Sequence, residues 1–289
     1  MVFRRIRIFL EMIKFEHSVF ALPFAYIGAL LVERKVPSAH HLIWITVAMV
    51  GARTAAMSLN RIIDREIDAA NPRTANRALP RGLLSVTEVW VYVFVSFGLL
   101  LVAAAQLSPL ALRLFPVAVV VLFVYSYTKR FTWLCHLFLG LALGLAPLGS
   151  WIAIADRIDL APALLAAGVT FWVAGFDVIY ACHDYDFDRR AGLYSIPARF
   201  GLRRALALSS FFHVLAVAFF LLVWWYMGLG VFYLAGVAVA AGILWYEHRL
   251  VSPGDLSRAD TAFFSMNGLL SATMLVFTLL DVSFPLPVL

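Results

Sequence analysis

Two stretches of this chain place side-chain oxygens at helical spacing. The first reads Asn60-Arg61-Ile62-Ile63-Asp64-Arg65-Glu66-Ile67-Asp68, and the second Asp184-Tyr185-Asp186-Phe187-Asp188-Arg189-Arg190-Ala191-Gly192. Asn60, Asp64 and Asp68 recur every fourth residue, as do Asp184 and Asp188. On a helix each set projects from one face, one turn apart. Carboxylates gathered in this way repel one another and call for a cation. A single Asp-x-x-x-Asp is most often an ordinary solvated helix end. Two in one chain, each followed by a basic, proline-containing loop (72–80 and 193–199), suit a divalent metal and a polyanion better. Mg²⁺ prefers oxygen ligands and is typically held by one or two carboxylates plus substrate phosphates. Two facing arms of this kind would clamp a diphosphate.

Further polar residues share this register. Arg53, Asn60 and Asp64 have the same relative offsets as Asp177, Asp184 and Asp188, and at about 100° per residue these stay close to one line along a helix. The pattern suggests a pseudo-repeat whose two helices take equivalent places around a central cavity. Arg53 and Asp177 lie about two turns deeper than Asn60 and Asp184. Ionisable groups inside a membrane are costly and face a cavity or a counter-charge. These two are expected either at the floor of an active site or as a mutual ion pair that fixes the bundle. Lys129, in Tyr125-Ser126-Tyr127-Thr128-Lys129, could neutralise a diphosphate leaving group or serve as a simple anchor.

The elements that must position these residues follow from composition. The 289 residues are 63% hydrophobic and 14% charged, too apolar for a soluble domain to conceal, so the lipid bilayer is the expected surrounding. A span needs about 20 apolar residues. Nine candidates occur, at 18–33, 41–63, 89–107, 111–127, 132–154, 162–183, 208–227, 229–247 and 261–281, and Gly228 and Gly230 leave room for one long broken helix at the seventh boundary. With the N-terminus cytosolic, seventeen Lys and Arg fall on the inside and four outside, the bias expected of an inner-membrane protein with its acidic helix ends cytosolic and its C-terminus outside. Orientation therefore explains the basic residues better than nucleic acid does. Arg4, Arg5 and Arg7 lead an N-terminal stretch, 1–17, read as an interfacial helix rather than a signal peptide, because Glu11, Lys14, Glu16 and His17 interrupt its apolar run. No long polar linker divides the chain, which points to one membrane-embedded domain over residues 1–289. Cys135 and Cys182 lie in apolar runs, away from any disulfide or thiolate-metal pattern.

Asn-x-x-x-Asp-x-x-x-Asp at 60–68, Arg-Thr-Ala-Asn-Arg-x-Leu-Pro at 73–80 and Asp-x-x-x-Asp-x-x-x-Gly at 184–192 together resemble the UbiA superfamily of intramembrane prenyltransferases. The stretches 15–24, 175–180 and 195–201 are similar to its 4-hydroxybenzoate polyprenyltransferase-like branch, which includes relatives of the futalosine route to menaquinone. The resemblance implies an all-α fold of nine transmembrane helices around a central cavity. It implies that Asn60, Asp64 and Asp68 bind one Mg²⁺–diphosphate arm and Asp184 and Asp188 the other, two ions in all. Lys129 and Arg65 would hold diphosphate oxygens, with Tyr125 alongside, and Asp177 matches an aspartate near the acceptor. Arg61 departs from the pattern, standing where many members carry a second acid.

The implied reaction is Mg²⁺-dependent transfer of a polyprenyl group from its diphosphate to a small aromatic acceptor resembling 4-hydroxybenzoate, with 1,4-dihydroxy-6-naphthoate as the alternative. Asp64, Asp188, Lys129 and Asp177 are expected to carry catalysis, with Asp177 and Arg53 on the acceptor side. Tyr127, Trp151 and Phe176 are candidate cavity aromatics able to stabilise positive charge. A transporter is the rival from another class. Its mark would be paired Gly/Pro breaks in spanning helices, for which only the Gly140–Pro147 region offers a candidate. The Asp-Gly-x-x-Ala-Arg start of the CDP-alcohol phosphatidyltransferase motif is absent.

Overall fold

Short polar signals set where three of the apolar runs begin to coil. Ser38 accepts from the His41 amide and caps α3 (Ala39–Ile63). Ser85 and Glu88 form a reciprocal capping box at α5 (Val86–Leu107), satisfying two backbone donors that the first turn leaves unpaired. Ser108 caps α6 (Pro109–Thr128), whose first-turn Pro109 tolerates its missing amide. Between them lie α1 (Val2–Met12), α2 (Ala21–Glu33) and the short α4 (Arg65–Ala70). The chain continues through α7 (Cys135–Ala155), α8 (Leu160–Ala181), α9 (Tyr185–Ala191), α10 (Ile196–Phe200), α11 (Leu202–Met227) and α12 (Val231–Arg249). It ends with α13 (Ala259–Thr261) and α14 (Asn267–Ser283), joined by a π-helical turn at Ala262–Met266. These elements belong to a computed structural model that describes residues 2–14 and 21–286, and no β-strand occurs among them.

Each of the nine stretches expected to span corresponds to a helix. Among the described residues eight helices are long and apolar enough to cross a membrane, while the described part of the first candidate, α2, has 13 residues. Residues 18–20 of that candidate lie outside the described residues. The seventh boundary is a true break: Gly228 takes φ 57° and closes α11, because a left-handed residue ends a helix and only glycine adopts that conformation without penalty. Asp281 then accepts from the amides of Gly230 and Tyr233, capping α12 from another helix. Pro147 lies inside α7, which runs on without interruption, so the Gly140–Pro147 stretch is not the broken helix a transporter would show.

The interior divides unevenly. One large cluster joins Phe24 and Leu31 of α2, Trp172 and Val173 of α8, Phe220 of α11, Tyr233 of α12 and Met274 of α14. Trp172, Tyr233, Phe24 and Phe220 are fully buried. Gly140 lets α7 press its backbone onto Thr170 of α8, where a β-carbon would collide with a carbonyl oxygen. By contrast α5 and α6 present Phe94, Val95, Val117 and Val120 outward. An exposed apolar belt of this kind is what lipid contact requires. Trp151 belongs to the core and donates to Asp159, and Tyr127 is exposed, so neither forms the aromatic wall the sequence suggested; Phe176 does line a cavity. Residues 2–14, the described part of the expected interfacial helix, pack Phe9, Met12 and Ile13 onto Ala78, Leu79, Leu84 and Val89, and leave Arg4, Arg5 and Arg7 exposed.

Candidate active site

The two acidic stretches sit at matching breaks in two spanning helices. α3 stops at Asp64, whose backbone (φ −91°, ψ 5°) is not helical, and α4 resumes immediately. α8 tightens through a 3₁₀ turn at Cys182–Asp184, and α9 resumes after Asp184 at φ −97°, ψ 7°. The backbone therefore equates Asp64 with Asp184 and Asp68 with Asp188. This corrects the register expected from side-chain offsets, which equated Asp64 with Asp188 and Arg53 with Asp177. A continuous helix keeps one phase, whereas these breaks reset it. Both bends turn their acids into one cavity of about 1030 Å³.

Asn60, Asp64, Asp68, Tyr125, Lys129, Asp177, Asp184 and Asp188 all line this cavity. Asp64, 2% exposed, accepts from Lys129 Nζ at 2.6 Å, Arg130 Nη1 at 3.0 Å and Asn60 Nδ2 at 2.8 Å. Asp68 takes Arg77 on both oxygens, at 2.7 and 2.8 Å. Asp184 is forked by Arg73, whose Nε lies 2.9 Å from Oδ1 and whose Nη2 bonds Oδ2, and it also accepts from Asn71 Nδ2 at 2.8 Å. Bidentate guanidinium pairing fixes orientation as well as charge. Asn71 also receives the Arg73 amide, so the loop after the first motif is bound to the second. Ser195 donates to Asp188 at 2.8 Å. Tyr125 donates to the Ala56 carbonyl at 3.3 Å.

Three expectations change. Arg65 is exposed and does not line the cavity, because the break at Asp64 turns it outward; Arg61, Arg73 and Arg77 supply guanidinium groups there instead. Arg53 and Asp177 do not form a mutual ion pair. Asp177 pairs with His136 at 2.6 Å, while Arg53 donates to the Lys14 carbonyl at 3.2 Å and lines a second cavity. Arg61, in place of a second acid, is buried and donates to Asn60 and to the Met12 carbonyl, joining the first motif to α1. Sequence reasoning missed His136, Asn71, Arg130 and Ser195 as cavity partners. Arg73 and Arg77 stood in plain view in the basic loop, and His136 had a signal of its own as a polar residue opening an apolar run.

The second cavity, about 460 Å³, is lined by Ala48, Ala52, Leu100, Leu114, Phe115 and other apolar residues of α3, α5, α6 and α7. Met57, Tyr125, Leu139 and Phe263 border both cavities. Phe263 packs at a tilt against Tyr180 with ring centroids 4.3 Å apart, and Tyr180 in turn receives Arg73. A charged chamber thus adjoins an oily one within the same bundle.

The donors at the breaks are carboxylate and amide oxygens, the hard ligands Mg²⁺ prefers. Among the described residues no three His, Cys, Asp or Glu side chains form a protein-only metal cage. Mg²⁺ does not need one, since one or two carboxylates together with substrate phosphate oxygens suffice. The donor set fits that ion.

The structure defines a class: a membrane bundle in which an acid- and base-lined chamber adjoins an apolar cavity. The chain belongs to the UbiA prenyltransferase family, whose profile matches residues 21–269. It is similar to a UbiA homologue of Aeropyrum pernix in its apo form, at 36% identity and a TM-score of 0.83 over 90% of this chain and 98% of that one. A 4-hydroxybenzoate octaprenyltransferase of Paraburkholderia phymatum is 27% identical over 91% of this chain and 92% of its own length. A UbiA homologue of Archaeoglobus fulgidus bound to GPP and Mg²⁺ shares the fold, with 20% identity and a TM-score of 0.72 over 96% and 99% of the two chains. The protein is a prenyltransferase embedded in a membrane.

Proposed function

We propose that this enzyme transfers a polyprenyl group from its diphosphate to an aromatic acceptor of the 4-hydroxybenzoate type, in quinone biosynthesis. The observation that carries the reading is the meeting of the two acid-bearing helix breaks with Lys129 in one chamber, beside the apolar cavity. The Archaeoglobus homologue's GPP and Mg²⁺ and the Paraburkholderia enzyme's acceptor support it by analogy.

In this reading Asn60, Asp64 and Asp68 hold one Mg²⁺ and Asp184 and Asp188 a second. When bound, the metal supplies electrostatic stabilisation of the charge that develops on the departing diphosphate. Lys129 and Arg77, already held against acids of the first motif, donate to diphosphate oxygens, with Tyr125 beside them. The prenyl chain lies in the apolar cavity, where water that would hydrolyse an allylic cation is excluded. The C1–oxygen bond breaks, the ring carbon ortho to the acceptor hydroxyl bonds to C1, and the proton on that carbon leaves. Asp177 orients the acceptor hydroxyl and accepts the proton, and Arg53 holds an anionic acceptor group from the adjoining wall. The distribution of Lys and Arg supports a cytosolic mouth and N-terminus in an inner membrane, with the whole bundle acting as one catalytic unit.

The test is Mg²⁺-dependent release of diphosphate by the purified protein given a long polyprenyl diphosphate and, separately, 4-hydroxybenzoate or 1,4-dihydroxy-6-naphthoate, with products identified by mass spectrometry. Prenylated 4-hydroxybenzoate is the expected outcome. Product only with the naphthoate reassigns the acceptor. No product with either, despite binding of the diphosphate, overturns the aromatic reading.

A further inference from the structure

We infer that His136 is the positioning residue for Asp177, tying the acceptor-side carboxylate to the segment that follows the second acidic motif. The inference rests on the proposed acceptor role of Asp177. His136 opens α7, is 3% exposed, and makes two hydrogen bonds from opposite ring nitrogens. Nδ1 lies 2.6 Å from Asp177 Oδ2, and Nε2 lies 3.2 Å from the Ile196 amide nitrogen. A backbone amide can only donate, so Nε2 is the acceptor and carries no proton. The proton of the neutral ring is therefore on Nδ1, where it donates to Asp177. The main chain at Ile196 selects the tautomer, and the tautomer orients the carboxylate.

The segment that holds His136 is itself held. The Tyr194 amide donates to the Lys129 carbonyl at 2.7 Å, and Cys135 Sγ donates to the Tyr194 carbonyl at 3.3 Å. Ser195, next to Ile196, donates to Asp188. The imidazole thus bridges the wall that carries Lys129 and Asp188, on the diphosphate side, and Asp177. Asp177 Oδ1 has no hydrogen bond among the described residues, and the residue lines the chamber. With Oδ2 fixed by His136, Oδ1 is the oxygen presented to an acceptor hydroxyl. A misplacement of about 1 Å at a reacting group can cost on the order of 10²-fold in rate, so losing the anchor should act first on acceptor use, while Ser195 still holds Asp188 on the diphosphate side.

Substitutions separate this bonding role from mere space filling. Glutamine has one amide that can donate to Asp177 and accept from Ile196, whereas phenylalanine fills the site and does neither. For His136→Phe we expect the acceptor KM to rise about tenfold or more, kcat to fall, and the prenyl diphosphate KM to stay within about threefold. His136→Gln should keep the acceptor KM within about threefold of the parent. Phe matching the parent while Gln fails would make His136 a packing residue and overturn the inference. Combining His136→Phe with Asp177→Asn should add little to the loss from Asp177→Asn alone, since both remove one interaction. If Asp177→Asn leaves acceptor kinetics intact in an enzyme that transfers prenyl groups, the acceptor reading of Asp177 fails. If it impairs them while His136→Phe does not, the His136 inference alone fails. Should the Phe variant not fold, ¹⁵N NMR of the His136 side chain decides: an Nδ1-protonated neutral ring is expected, and an Nε2-protonated one overturns the proposal.

Discussion

Asp64→Asn is the most informative single change, because the structure separates its two consequences. The carboxylate is buried and engages two cations and an amide. A hydrogen bond to a charged group contributes about 1.5–3 kcal/mol. The Lys129 and Arg130 side chains are each 30% exposed, so water partly screens both contacts. Asparagine also keeps an acceptor oxygen in the same place. The expected loss of stability is therefore about 2 kcal/mol, small enough for the protein to remain folded in detergent at 25 °C. The catalytic loss should be larger. Removing one preorganised charge from a site that stabilises a leaving group costs on the order of 10²–10³-fold in kcat. Diphosphate release, coupled to a thermal melt on the same sample, reads both. Asp186→Asn is the internal control: Asp186 lies between Asp184 and Asp188 in sequence, yet it is exposed and outside the chamber, so its activity should stay within about twofold of the parent. An Asp64→Asn enzyme within tenfold of the parent, with the stability loss present, would make Asp64 a structural residue and refute the metal assignment.

Arg65→Ala should retain activity within about threefold in the same assay, because its side chain is outside the chamber; a loss of tenfold or more would restore the diphosphate role expected from sequence. Chelation by EDTA should abolish turnover and added Mg²⁺ should restore it, while persistent turnover would rule out the carboxylate-metal reading. Ala142→Phe, in the wall of the apolar cavity, should shorten the longest prenyl chain accepted, read as product mass; an unchanged chain-length profile would move the tail elsewhere. Asn267→Ala should lower stability by about 3 kcal/mol and the melting temperature by about 5 °C. Asn267 accepts from Trp172 and donates to Glu247 and to the Ala262 and Phe263 carbonyls of the π-helical turn, which are left unpaired together. A melt within 2 °C of the parent would show that these groups find other partners.

Much of this enzyme was readable before folding. Apolar runs about 20 residues long determine spanning helices by themselves, because a helix in lipid must satisfy its backbone internally and needs no neighbour to do so. The spacing of Asn60, Asp64, Asp68, Asp184 and Asp188 singled out five residues that all line the chamber. Tertiary structure decided the rest. Whether Arg65 or Arg73 faces the chamber depends on the break at Asp64 and on a loop crossing to the other motif, and neither is a local property. The register of the two motifs failed for a related reason: side-chain offsets assume a continuous helix, and both helices bend at an aspartate. Arg53 and Asp177 stood at equal depth in the sequence, but a shared depth does not make a contact. Only packing could give Asp177 to His136, 41 residues away on another helix, and carry that contact onward to Ile196, because pairing between helices depends on how the bundle rotates each one.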